Sequence, residues 1–227
     1  MTEKLYENDS YLQTFTATVL ACAPAPGGYA VVLDRTAFYP EGGGQPCDTG
    51  RLGDAAVRAV HTDGETVLHT TDAPLPVGGT VEGSIDWPAR LDAMQQHTGE
   101  HILSGALHRL YGAENVGFHI GSPWVRMDTS IPLTAAQLAE AEAEANAAVR
   151  ADTPVRCYLP APAELARTEY RSKKALEGPV RLGEAGGDRC ACCGTHLART
   201  GEVGLIKILS FQHYKGGMRL AVACGQR

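Results

Sequence analysis

The hydrophobic positions change their period part-way along the chain. Up to about residue 88 they fall in short runs rich in β-branched and aromatic residues, such as Thr14-Phe15-Thr16-Ala17-Thr18-Val19-Leu20 and Tyr29-Ala30-Val31-Val32-Leu33. Side chains of this kind pack well on a pleated surface, and the intervening Pro24-Ala25-Pro26-Gly27-Gly28 is built of turn formers, so the two runs predict a hairpin. Further short strands are expected over 49–52, 56–61, 66–69 and 80–85, punctuated by Gly53-Asp54, Asp63-Gly64 and Val77-Gly78-Gly79. Many short strands with closely spaced turns predict a small barrel.

After Asp86-Trp87-Pro88, where a proline can open a helix, the apolar step lengthens. Leu91, Met94, Ile102, Ala106 and Leu110 recur at three- or four-residue intervals or multiples of them, with Leu103 and Leu107 widening the stripe, until Gly112. That spacing predicts a helix over 89–111. Strands over 115–121 and 124–129 are expected around Ser122-Pro123. Thr134 and Gln137 then form a capping-box pattern for a second helix with Leu138, Ala141, Ala145 and Ala148 or Val149 inside and Glu140, Glu142 and Glu144 outside. A strand over 155–159, a short helix over 162–171 and a closing hairpin of 203–211 with 218–223 complete the reading. The expected fold class is α+β: a small N-terminal β-barrel over 1–88, then over 89–227 a two-layer α/β domain whose helices cover one side of a mostly antiparallel sheet.

Composition narrows the setting. The chain has 227 residues, 44% hydrophobic and 20% charged, ordinary for a protein with a real core. No apolar run approaches the roughly 20 residues of a membrane span, and Met1-Thr2-Glu3-Lys4-Leu5-Tyr6 lacks a signal-peptide segment, so no membrane association and a cytoplasmic location are expected. Of the seven cysteines, Cys190, Cys192 and Cys193 crowd together, which suits metal binding in a reducing compartment better than disulfides. The net charge of −6 argues against general nucleic-acid affinity, DNA included, and leaves room for a local basic patch.

The chemistry-bearing stretches are two. In Gln95-Gln96-His97-Thr98-Gly99-Glu100-His101, the histidines stand at i and i+4 and share a helix face. Cys192-Cys193-Gly194-Thr195-His196 offers a second pair at the same spacing, and the two pairs together supply a tetrahedral His/Cys zinc site, one ion per chain. His-Thr-Gly-Glu-His also matches the H-x-x-E-H pattern of certain metallopeptidases, which would use Glu100 as base and a carboxylate from elsewhere as third ligand; the Cys192/His196 pair instead supplies the third and fourth ligands, which makes the peptidase the lesser alternative. In the β-region, Phe38-Tyr39-Pro40-Glu41-Gly42-Gly43-Gly44-Gln45-Pro46 fits no phosphate-loop pattern; it reads as a flexible turn or as a backbone-lined wall for a substrate or second domain.

The ensemble of 38–46 (FYPEGGGQP), Asp48, Gly50, Asp86-Trp87, 96–103 (QHTGEHIL), 117–121 (GFHIG), 192–196 (CCGTH) and 200–204 (TGEVG) resembles the AlaX-type alanyl-tRNA editing proteins. These are free-standing relatives of the alanyl-tRNA synthetase editing domain, and the match is to the medium-length type that carries a translation-protein-like barrel first. The resemblance implies hydrolysis of tRNA-Ala mischarged with serine, and with glycine as a second candidate, at a zinc ion held by His97, His101, Cys192 and His196. A pocket for alanine rejects such small differences poorly, hence the need for a second, hydrolytic site.

It also implies that Thr98 senses the serine hydroxyl and that Phe118 and His119 line the pocket, with Glu100 a weaker catalytic candidate. Gly42, Gly43, Gly44, Gln45 and Gln96 join Phe118 as substrate-binding candidates. For the acceptor stem the basic residues Arg167, Arg171, Lys173, Lys174, Arg181, Lys207, Lys215 and Arg219 are the concentration available. Cys193 stands where the family usually has glycine, so Cys190 and Cys193 are potential competitors for the metal or sites of oxidation. No adenylate-forming segment fits within 227 residues. The alternative class is a non-catalytic, zinc-stabilised tRNA-binding module, which metal removal would unfold rather than silence.

Overall fold

The computed structural model describes residues 1–172 and 178–227 and divides into two compact units, Met1–Ala93 and Met94–Arg227. In the first, β1 (Glu3–Lys4) leads into a one-turn helix α1 (Leu5–Asn8), followed by β2 (Thr14–Ala25), β3 (Gly28–Leu33), β4 (Arg35–Thr36), β5 (Gly50–Leu52), β6 (Ala55–Asp63), β7 (Thr66–Thr71) and β8 (Thr80–Ile85). β1 pairs in parallel with β4; the other six strands close an antiparallel barrel in the order β2-β3-β7-β6-β5-β8.

Alternate residues point inward, so Phe15, Val19, Val31, Leu33, Phe38, Leu52, Val60 and Val67 form one core. Gly83 lies directly beneath the Phe15 ring, where a Cβ would come 2.3 Å from a ring carbon. Inside the barrel unit His69 is fully buried, its Nε2 2.8 Å from the Thr36 hydroxyl and its Nδ1 3.2 Å from the Val31 carbonyl. Arg90 is buried as well. It donates to both carboxylate oxygens of Asp48 and to the Ser10 and Ala37 carbonyls, so the charge pair is hydrogen-bonded on every side.

The glycine-rich stretch is a tight turn rather than a loose loop. Gly42 and Gln45 exchange both backbone hydrogen bonds, at 3.1 and 3.0 Å, and Gly43 and Gly44 between them take φ of 60° and 87°, the left-handed region open to glycine. Gln45 is fully buried, whereas a Cβ on Gly43 would meet nothing within 4 Å.

Helix α2 (Trp87–Tyr111) begins in the first unit, where Asp86 accepts the Ala89 N–H, and continues in the second. There follow β9 (Asn115–Ile120), β10 (Val125–Thr129), α3 (Ala135–Arg150), β11 (Arg156–Tyr158), the short α4 (Pro162–Leu165), β12 (Leu182–Ala185), β13 (Asp188–Ala191), a 3-10 turn (Thr200–Val203), β14 (Ile206–Tyr214) and β15 (Gly217–Cys224). A four-stranded antiparallel sheet runs β14-β15-β10-β9, and a three-stranded one runs β11-β12-β13. The class is α+β with antiparallel sheets. The capping box at Thr134 and Gln137 is formed on both sides, and Leu138, Ala141, Ala145 and Val149 are the buried face of α3.

Every residue of α2 from Met94 to Leu107 is buried. Gly99 lets Cys224 and Val203 approach from one side, and Gly105 lets Asp188 approach from another. His97 and His101 are each only 3% exposed, because the helix is enclosed rather than laid on a surface. This corrects one expectation: Leu110, part of the expected apolar stripe, is 40% exposed because the last turn emerges.

Candidate metal centre

The middle of α2 brings His97 and His101 into line at helical spacing, their ring centroids 5.2 Å apart. The turn after β13 brings Cys192 and His196 against them. Cys192 Sγ lies 3.2 Å from His196 Nε2 and 3.5 Å from His97 Nε2, and one ligand atom from each of the four residues falls within 4.8 Å of all the others. Ligands about 2.0 to 2.3 Å from a tetrahedral ion stand roughly 3.5 Å from one another, so these spacings fit a zinc-sized ion with three nitrogens and one sulfur.

The turn that carries Cys192 is fixed by the chain itself. Cys192 N–H donates to the Arg181 carbonyl, and the Arg181 guanidinium returns to the Cys192 and Gly194 carbonyls at 3.1 and 2.9 Å. The Gly194 N–H points at Cys192 Sγ, 3.3 Å away. Burial would raise the Cys192 thiol, but His97, His196 and His101 around it hold it well below its ordinary range, which favours the thiolate a metal requires. Burial pushes His196 down to about 4, leaving its imidazole neutral at physiological pH. Burial also opposes charge on His101; Cys190, Cys192 and Asp188 outweigh it and raise that imidazole well above the usual value.

Around the four lies a second set of side chains. Thr98 Oγ1 accepts from the Leu197 N–H at 3.1 Å and sits 3.2 Å from His196 Nδ1, so with Nε2 turned to the cluster the Nδ1–H donates to Thr98. Asp188 Oδ2 is 3.7 Å from His101 Nδ1, and its carboxylate is held at about 2 because burial is outweighed by His101 and by a bidentate pair with Arg171 at 2.8 and 2.9 Å. Cys190 Sγ is 3.1 Å from His101 Nδ1, giving a second group of three with Asp188. The Phe118 ring covers His97 at 5.2 Å and a 32° tilt.

The other sequence candidates fall in three places. Glu100 is 4% exposed and its carboxylate accepts from Asn115 Nδ2, while Asn115 Oδ1 accepts the Gly117 N–H on β9; Glu100 therefore braces the strand that carries Phe118. Gln96 is fully buried, its amide bonded at both ends to the Cys224 backbone at 2.7 and 2.9 Å, a strap between α2 and β15. His119, one residue beyond Phe118, points to the opposite face of β9 and is exposed rather than beside the cluster, because side chains alternate along a strand. Gly42, Gly43, Gly44 and Gln45 form the turn in the first unit. Lys173 and Lys174 lie outside the described residues.

The expected basic surface is largely consumed by internal pairing. Arg171 is held by Asp188 and Glu114, Arg181 by the cysteine turn, Lys207 by Glu142, and Arg219 by Asp128. Sequence reasoning missed Asp188 and Arg171 as neighbours of the cluster; the turn-forming Gly186-Gly187 before Asp188 was the available sign of the β12–β13 hairpin that delivers Asp188, and Arg171 comes alongside β13 through its bridge to Cys190.

The sequence matches two family models: class II (A) tRNA synthetases over residues 13–89, and the threonyl and alanyl tRNA synthetase second additional domain over residues 180–220. The alanine–tRNA ligase of Pyrobaculum neutrophilum is 38% identical over 96% of this chain and 26% of its own. That of Thermofilum pendens is 40% identical over 96% of this chain and 25% of its own. The alanyl-tRNA editing protein Aarsd1 of Mus musculus is 32% identical over 93% of this chain and 56% of its own. The chain thus spans about a quarter of the matching ligases and just over half of the editing protein.

Proposed function

Because the chain belongs to the family that alanyl-tRNA editing proteins share with part of alanine–tRNA ligases, we propose that it is an aminoacyl-tRNA deacylase acting on tRNA-Ala mischarged with serine. The observation that carries this reading is the buried His97/His101/Cys192/His196 cluster, formed within the unit whose 180–220 segment matches the second additional domain. The three-nitrogen, one-sulfur donor set suits zinc, which when bound would act as a Lewis acid towards water or the ester carbonyl and orient the aminoacyl end.

The chain's own residues have separate tasks. Thr98 Oγ1 fixes the tautomer and ring plane of His196, and Asp188, itself anchored by Arg171, faces His101 in the same way. Phe118, half-buried against His97, forms the apolar side of the pocket, and Glu100 through Asn115 fixes the strand that presents it. The enclosed helix excludes bulk water from the histidines, so polar interactions there act in a low dielectric.

The test is incubation with seryl-, glycyl- and alanyl-tRNA-Ala, with and without a chelator, in wild type and in Cys192→Ala. Release of serine but not alanine, lost on chelation and lost by at least a hundred-fold in Cys192→Ala, is expected. Release of none of the three would refute the reading. Activity that persisted in Cys192→Ala with metal still bound would refute the ligand set.

A further inference from the structure

The sheet β14-β15-β10-β9 has two unlike faces. By register, Phe211, Leu220, Met127 and Phe118 share one row and carry the face that meets the cluster, so the adjacent row of Ser210, Ala221, Arg126 and His119 points the other way. On that second face Ala221 on β15 and Gly117 on the edge strand β9 are small, while Arg126 and Asp128 on β10 and Arg219 on β15 carry the charged groups. Trp124, in the bend that leads into β10, is 50% exposed. Tyr214 lies under the Arg219 guanidinium at 3.5 Å, with the Lys215 ammonium 5.3 Å from its ring. Asp128 neutralises Arg219, whereas Arg126 is exposed and in no ion pair among the described residues.

β9 is an edge strand, and successive residues on it straddle the edge: Phe118 rests on His97 inside and His119 is exposed outside. One residue of backbone therefore separates the metal centre from the outer face. Exposed aromatics with cations on a four-stranded antiparallel face are a surface for unpaired nucleotides, whose bases stack on the rings while phosphates meet the cations.

We propose that this face is the platform for the single-stranded 3′ end of the RNA substrate. Trp124 stacks on a base, Arg126 and His119 contact phosphates, and the strand crosses the β9 edge beside Phe118 to present its terminal ester to the cluster. The inference rests on the editing reading and names where its substrate lies.

The experiment measures binding of uncharged tRNA-Ala at several salt concentrations by wild type, Trp124→Ala, Arg126→Glu and, as a control of equal charge change on exposed α3, Arg150→Glu. Absorption of the cobalt-loaded proteins reports whether the metal centre is intact. Trp124→Ala is expected to weaken binding about ten-fold with an unchanged salt slope, and Arg126→Glu to weaken it while lowering the slope by about one. Arg150→Glu should bind as wild type. With tRNA lacking its single-stranded 3′ end the Trp124→Ala effect should vanish. If both variants bound as wild type while wild type released serine, the platform would be refuted and the editing reading kept; if wild type showed this binding pattern but hydrolysed nothing, the reverse would hold. A Trp124→Ala effect that survived removal of the 3′ end would also refute the platform.

Discussion

At the scale of single residues, the structure separates groups that titrate by design of their surroundings from groups that merely sit nearby. His69 is the clearest case in the barrel. Its Nδ1–H donates to Val31 and its Nε2 accepts from Thr36, so the neutral ring satisfies both partners, and burial lowers its pKa to about 4. The unfolded chain takes up this proton near 6.5, and the native state resists until about 4. Stability should therefore fall as pH drops through that window, by about 3 kcal/mol at its lower end. His69→Gln, which cannot titrate, should flatten the loss; a thermal melting series from pH 7 to 4 that sloped equally in both proteins would contradict this. Thr98 makes the corresponding point in the metal centre. Thr98→Val removes the acceptor for His196 Nδ1–H and should lower metal affinity by roughly 10- to 100-fold, with Thr98→Ser restoring it, as read by competition with a chromogenic chelator.

At the scale of elements, the enclosure of α2 governs what substitutions do. Gly99 is buried in the helix, where alanine would ordinarily stabilise by up to about 1 kcal/mol. A Cβ there would stand 2.4 Å from Cys224 Sγ and 3.3 Å from Val203 Cγ1, so Gly99→Ala should instead destabilise by about 1 to 3 kcal/mol in urea unfolding. Periodicity made this helix legible to within two residues at its start, and it made the barrel strands and the capping box legible, because each depends on local pattern and turn chemistry. It could not make the enclosure legible. An amphipathic stripe distinguishes one covered side, whereas the sheet against Gly99 and the hairpin against Gly105 come from residues 83 to 125 positions away. The same limit hid β12 and β13, whose Leu-Gly-Glu-Ala and Asp-Arg-Cys-Ala are too short and mixed to read as strands until Gly186-Gly187 is seen to turn them. Of the site, the four clustered residues were legible from repeated spacing. The expected strand over 115–121 already put Phe118 and His119 on opposite faces; only the packing of β9 shows that Phe118 is the one turned to the cluster.

At the scale of the whole molecule, the two units place different demands on a metal ion. All four clustered residues lie in Met94–Arg227, and the contact between His97 and Cys192 bridges 95 positions of sequence. Tying together points so far apart removes many unfolded conformations, and an ion that binds only the folded cluster adds about 4 kcal/mol when present at a thousand times its Kd. The barrel holds none of the four. Its core of Phe15, Val31, Leu33 and their neighbours, and the Arg90–Asp48 pair that fastens the first turn of α2, are complete within Met1–Ala93. Withdrawing the metal should therefore lower hydrogen-exchange protection in α2 beyond Met94, in β13 and in β15, and leave β2, β3 and β7 protected as before. Equal loss in the barrel strands would mean that the metal holds the whole chain together. Unchanged protection throughout would mean that the cluster is formed by packing alone, with the ion serving chemistry and not stability. The first outcome is the one expected, because the ion would tie His97 and His101 of α2 to the turn after β13, a link between residues about a hundred positions apart that packing alone would have to replace.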